Sequence, residues 1–249
     1  MDIRGIDQLV DDALEALQNG DDVRALAILD QIAAAEPNSA AVHWLRSKAL
    51  LDSDNAQEAL EEARRATKLE ADSPDAHFVL ACAAWQLDHT SLAQRSFEKS
   101  LKLADKDPDI MVTYARFMAE ERSPHRAEKV AEEAVNLDPC SASAWAALAS
   151  SQLALRRYKD AEKSCQRGLE IDPNDIYAQS VMAKILLERG DLSRADALTS
   201  LMADHPAAEQ FVFKMRAALR RKRMNSLASD ENLLPELKPN WYDSPKFLQ

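Results

Sequence analysis

The sequence predicts an all-α solenoid: six helix–turn–helix units in one continuous array, closed by a C-terminal helix. Three observations predict it. Ala25, Ala59, Ala93, Ala127, Ala161 and Ala195 lie 34 residues apart without a slip. A second column of small residues, Ala13, Ser47, Ala81, Ala115, Ala149 and Ala183, keeps the same period. Glycine occurs only 4 times in 249 residues, which suits an almost wholly helical chain. Alanine makes up 43 of the 249 residues; even so, six hits at one phase should arise by chance on the order of once in a thousand.

A period of this length is one helix–turn–helix unit, which cannot bury its apolar face alone and must stack on its neighbours. The Ala13 column falls in the first helix of each unit and the Ala25 column in the second. Where two helices cross tightly, only a small side chain lets the backbones approach. Larger residues beside the columns, such as Leu9, Leu29, Leu80, Phe97, Tyr114, Trp145 and Leu148, would fill the space between units.

The units follow in order over residues 6–206. The first, 6–39, turns at Asn19-Gly20-Asp21, and the second, 40–73, at Asp52-Ser53-Asp54. The third, 74–107, opens at Ser73-Pro74, an N-cap followed by proline at the first helical position, and turns at Asp88-His89-Thr90. The fourth, 108–141, opens at Asp107-Pro108 and turns at Ser123-Pro124. The fifth, 142–175, turns around Arg156-Arg157, and the sixth, 176–206, at Gly190-Asp191. Residues 207–224 carry Phe211, Met215 and Leu219 at spacing 4, widened by Val212 and Ala218. They predict a basic amphipathic helix that caps the last unit. No equivalent N-terminal cap stands out. Residues 225–249 hold Pro235, Pro239 and Pro245 with Leu237, Trp241, Tyr242 and Phe247. That tail is expected to dock in extended form on the solenoid or on a partner; a free terminus is the plainer alternative.

These residues resemble the tetratricopeptide repeat (TPR) family. The fifth unit is the nearest match: Trp145, Leu148, Ala149, then Tyr158, Ala161, Gly168 and Pro173. Glu36-Pro37-Asn38, Asp138-Pro139 and Asp172-Pro173-Asn174 are similar to that family's closing turn. The resemblance implies a right-handed superhelix with a concave groove that holds peptides or protein segments.

Composition narrows the function further. Net charge is −11, which argues against nucleic acid as the main ligand, because phosphate binding needs a dominant basic surface. Residues 1–206 carry 23 Lys+Arg against 37 Asp+Glu, and residues 207–249 carry 8 against 5. An acidic body therefore ends in a basic segment. Cys82, Cys140 and Cys165 form no CxxC pair and are odd in number, so a disulfide framework is not expected. With no apolar leader and no long apolar run, the expected location is cytoplasmic or another reducing compartment.

The resemblance places the inner wall of the groove on the first helices. Val10, Trp44, Phe78, Val112, Ala146 and Ser180 form one row along it. Leu14, Lys48, Cys82, Arg116, Ser150 and Lys184 form the next, and Leu17, Leu51, Trp85, Ala119, Leu153 and Leu187 a third. Trp44, Lys48, Phe78, Trp85, Val112, Arg116 and Lys184 are the candidate partner-binding residues. They suit a segment with apolar and acidic side chains, although the aromatic residues also suit ordinary packing between helices. The family's carboxylate clamp for chaperone tails needs Lys and Asn, then Asn, then Lys and Arg. Those slots read Val10 and Leu14, then Leu45, then Asp75 and Val79, so the clamp is absent.

His43 and His77 occupy equivalent positions and are read as structural, since no third ligand is spaced to join them. No catalytic, cofactor or metal motif is found, and no small-molecule substrate is expected. The basic cluster Arg220, Arg221, Lys222 and Arg223 could meet nucleic acid, anionic lipid or an import receptor. The favoured reading is that it serves the helix dipole and the acidic body. The expected function is a non-catalytic protein–protein scaffold or adaptor. The alternative is an assembly subunit that oligomerises or docks through its solenoid ends and tail.

Overall fold

Each unit starts, turns and closes at fixed points of the 34-residue period. The computed structural model describes residues 3–121, 123–205 and 208–231. They form thirteen helices: α1 (Ile3–Gln18), α2 (Asp22–Ala35), α3 (Ala40–Asp52), α4 (Ala56–Leu69), α5 (Pro74–Gln86), α6 (Thr90–Leu103), α7 (Pro108–Glu120), α8 (Pro124–Leu137), α9 (Ala142–Ala154), α10 (Tyr158–Ile171), α11 (Ile176–Arg189), α12 (Leu192–Leu201) and α13 (Glu209–Glu231). Ser39, Ser73, Asp107, Ser141 and Asp175 cap the first helices of units two to six. Their side-chain oxygens accept from backbone N–H groups three residues on, at 2.6–3.5 Å. The turns inside units one, two, three, five and six each hold one left-handed residue. Gly20 and Gly190 supply it at φ +71° and +84°, and Asp54, Asp88 and Arg156 hold the same backbone at φ +60°, +57° and +59°.

A further column closes units two, three, five and six onto the turn before each. The ring N–H groups of His43, His77 and Trp145 and the amide of Gln179 reach the carbonyl oxygens of Pro37, Ala71, Pro139 and Pro173 at 2.7–3.1 Å. These four side chains differ, but each offers an N–H at the same register. The two histidines are therefore structural clasps, as their equivalent positions suggested.

The two small-residue columns lie at the centre of the packing. All twelve residues, from Ala13 and Ala25 to Ala183 and Ala195, are 0 % exposed. Ser47 Oγ donates to the Ala59 carbonyl at 2.9 Å, so the columns meet across the two helices of one unit. Contact is as close at Gly168, where an added Cβ would lie 2.9 Å from the Ala142 carbonyl oxygen.

A third set of positions joins each unit to the one before it. In α3 these are Val42, Leu45 and Ala49, and in α11 Ala178, Val181 and Ile185, all buried. In α13 they are Val212, Met215 and Leu219, also buried. In α1 the same positions are Gln8, Asp11 and Glu15, all exposed. The array thus has an N-terminal cap that the sequence reading did not find: α1 replaces its stacking face with polar groups. Between units three and four the fill is aromatic. Phe97 and Phe117 are buried with ring centroids 5.4 Å apart, and Tyr114 lies 5.4 Å from Phe97.

The C-terminal helix runs to Glu231 rather than ending at Met224. Residues 225–231 contain neither proline nor glycine, so nothing local stops it within them. The tail residues Leu237, Trp241, Tyr242 and Phe247 lie outside the described residues.

Overpacking separates column positions from their neighbours. Ala127 is 0 % exposed, whereas Ala34 is exposed on α2. Ala127→Leu should cost about 1–3 kcal/mol and lower the melting temperature by several degrees, while Ala34→Leu leaves it unchanged. Equal melting temperatures would refute the packing phase.

Candidate functional site

The first helices form one layer, in which α3 packs on α5, α7 on α9 and α9 on α11. Their shared face carries the candidate site. Its centre is Arg116, whose guanidinium lies 5.9 Å from the centroid of the Trp85 ring and 4.3 Å from that of Tyr177. Tyr177 belongs to unit six, yet it reaches Arg116 in unit four. Unit five allows this because its inner residues, Ala146 and Ser150, are too small to block the way. Each such cation–ring contact contributes about 0.5–1 kcal/mol where exposed and about 2 when desolvated.

The rings themselves are braced from behind. Trp85 meets Phe97 and Phe117 edge-on at 6.5 and 5.8 Å, and Phe78 meets Phe97 edge-on at 6.1 Å. Trp44, Phe78 and Trp85 are all half-buried. Each ring packs against the core on one side and is partly exposed on the other. Lys48 is exposed beside Asp52. Val112 is different. At 7 % exposure it packs with Met111, Ala115 and Leu148, so it presents almost nothing to a partner. Its place in the row is correct, but the neighbouring helix covers it.

Charge divides the face. Towards unit six, Lys184 holds its Nζ 5.8 Å from the Phe211 centroid. Lys184 is exposed, yet desolvation lowers its pKa, with Arg116 and Lys214 adding to the effect and Glu120 opposing it. Towards unit one the sign reverses. Asp52 is pushed up by burial and by Asp22, against Lys48; Asp22 is pushed up by burial and by Asp21, against Ser53. The thiol of Cys82 lies between these ends and is raised to about 12 by burial, despite Arg116. The Tyr177 phenol is also raised to about 12 by burial. Ser150 approaches the Tyr177 hydroxyl, but without hydrogen-bond geometry, and the oxygen is buried and unsatisfied.

The basic cluster is partly consumed. Lys222 donates to the Leu187 carbonyl at 2.7 Å and lies 3.7 Å from Glu188, while Arg223 pairs with Asp196 at 2.9 Å. Arg220 and Arg221 stay exposed. Because α13 continues to Glu231, none of these cations sits in its last turn, so they do not serve its dipole. Among the described residues no three His, Cys, Asp or Glu side chains group as a metal site, and no helix is long and apolar enough to cross a membrane.

Family models described as tetratricopeptide repeat match residues 10–77, 74–107 and 118–185. The chain belongs to the tetratricopeptide repeat family. Solved structures share this TPR fold at low identity. The Cut9–Hcn1 hetero-tetramer of the APC/C gives a TM-score of 0.69 at 16% identity, over 87% of this chain and 42% of that one. TTC0263, a thermophilic TPR protein of Thermus thermophilus, gives 0.66 at 16% identity, over 73% and 99%. YrrB, a TPR protein with an unusual peptide-binding site, gives 0.51 at 16% identity, over 68% and 88%. No curated protein matches the sequence.

In this TPR array the sequence reading missed Tyr177 and Phe211. The signal for Tyr177 was present as the Ala146 and Ser150 gap in the inner rows. Phe211 was assigned to the cap alone, although a helix laid on the last unit must also border the first-helix face.

Two measurements probe this geometry. The thiolate is the reactive form, and burial holds Cys82 and Cys165 near 12. At mildly alkaline pH a maleimide should label exposed Cys140 first, half-buried Cys82 more slowly, and buried Cys165 only on unfolding. Equal native rates at Cys82 and Cys140 would show an open Cys82. Tyr177→Phe removes an unsatisfied hydroxyl and should leave the melting temperature unchanged or raise it. A fall of several degrees would show that the hydroxyl has a partner.

Proposed function

We propose that this TPR protein is a non-catalytic scaffold or adaptor that holds a segment of a partner protein along its first-helix face. The carrying observation is Arg116 held between Trp85 and Tyr177, with Lys184 and Lys214 nearby and Glu120 as the carboxylate among them. Cations fixed over rings and partly stripped of water favour an anionic group over water. The open sides of Trp44, Phe78 and Trp85 suit apolar side chains of the same segment. The Asp22 and Asp52 end repels acidic residues, so the segment's acidic part lies over units four to six. The free thiols Cys82, Cys140 and Cys165 fit a reducing compartment such as the cytoplasm. The unusual peptide-binding site of YrrB is a precedent on the same fold.

Site-specific photo-crosslinking tests this reading. A photoreactive residue at Lys184 should trap the partner, whereas one at exposed Lys163 on α10 should not. Arg116→Glu combined with Lys184→Glu should weaken capture about tenfold or more while helical content stays unchanged. Equal trapping at both positions, or undiminished capture by the double variant, would refute the assignment.

A further inference from the structure

The 34-residue period does not stop at unit six. Val212, Met215 and Leu219 of α13 continue the stacking positions Ala178, Val181 and Ile185 of α11, and they are buried like them. By this register α13 is the first helix of a seventh unit. Ala217 then continues the small-residue column after Ala183, and Arg220 falls at the position of Leu186. In earlier units both positions face the unit's own second helix. Ser47 of that column bonds to Ala59, and Gln152, which precedes Leu186 by one period, accepts from Ser164 at 2.9 Å.

In α13 this face is open among the described residues. Ala217 and Arg220 are exposed, Phe213 is 77 % exposed and Met224 64 %. The helix runs straight through residues 224–225, where every earlier unit turns. The sequence beyond Glu231 holds Pro235, Pro239 and Pro245, and proline is disfavoured inside a helix.

Charge indicates what fits the slot. Lys214, Arg216, Arg220 and Arg221 are exposed along α13. Two α13 faces brought together would place these cations against each other, which disfavours a symmetric pair through this helix. The opposite end of the array is its complement. Residues 8–22 carry Asp11, Asp12, Glu15, Asp21 and Asp22 and no Lys or Arg. Gln8, Asp11 and Glu15 occupy stacking positions yet are exposed, and Leu14 beside them is 36 % exposed.

We propose that the acidic helix α1 of a second copy lies in the second-helix slot of α13. Asp11, Asp12 and Glu15 face Arg216, Arg220 and Arg221, and Phe213, Ala217 and Met224 lie beneath the crossing helix. The joined surfaces differ, so the contact is head-to-tail and extends into open chains. It deepens the assembly reading of the sequence and leaves the first-helix face free for a partner.

Sedimentation velocity of the full chain across a concentration series tests this. At about 0.1 M salt the average mass should rise with concentration, and at about 1 M the rise should disappear, as the Debye length falls from about 10 to 3 Å. Ala217→Lys alone, and Asp11→Lys with Glu15→Lys, should each abolish association, with Arg220→Glu as a second probe of the α13 face. All these sites are exposed, so melting temperatures should hold. Mixed one to one, the first two should give only a one-to-one dimer, because one variant retains an intact α1 and the other an intact α13. A wild type monomeric at every concentration, a symmetric dimer that grows no further, or variants that still associate would each overturn the proposal. Arg116→Glu should leave association unchanged, so failure here and failure of the partner-binding reading are separately visible.

Discussion

Everything in this array depends on the contact between two columns of small residues. Ala81 and Ala93, or Ala149 and Ala161, let two helices approach until no water touches either side chain. Interiors at this density leave no room for added methyl groups. Once that distance is set, the rest of each unit is constrained to it. The left-handed residue at Gly20 or Asp54 turns the chain within reach of the crossing, and the clasp from His43 or Trp145 fixes the angle at which the next unit enters. The stacking positions then meet the preceding unit without further adjustment.

Function follows from where this regularity is broken. Aromatic residues replace small ones between units three and four, which gives Trp85 a buried backing and an open side. Unit five is paved with alanine and serine, so Tyr177 crosses over it to Arg116. Both departures keep the period and change only side-chain volume. The ends depart in charge instead: α1 carries Asp11 where α3 and α5 carry Leu45 and Val79, and α13 carries Arg216 and Arg220 where α11 carries Met182 and Leu186. The same register positions serve as core in the middle of the array and as polar surface at its ends.

The fold was legible because period and residue size both appear directly in the sequence. Ala25 and its five successors fix the helix pairing without any reference to shape. The candidate site was legible only in part. Inner-row positions name Trp85, Arg116 and Lys184, but not whether a neighbour covers them, and Val112 shows the difference. Tyr177 was missed because its role depends on the smallness of residues in another unit. The end of α13 was placed too early because a fading period was taken for the end of a helix, while residues 225–231 contain nothing that stops one.

Amide hydrogen exchange across the array tests the central claim most directly, because slow exchange requires closed packing around each helix. The account predicts protection that recurs in every interior unit, strongest in the turns carrying the two small-residue columns and weakest at the outer turns of α1. An interior unit that exchanges as freely as an isolated helix would contradict it, since no unit can close its columns and remain open.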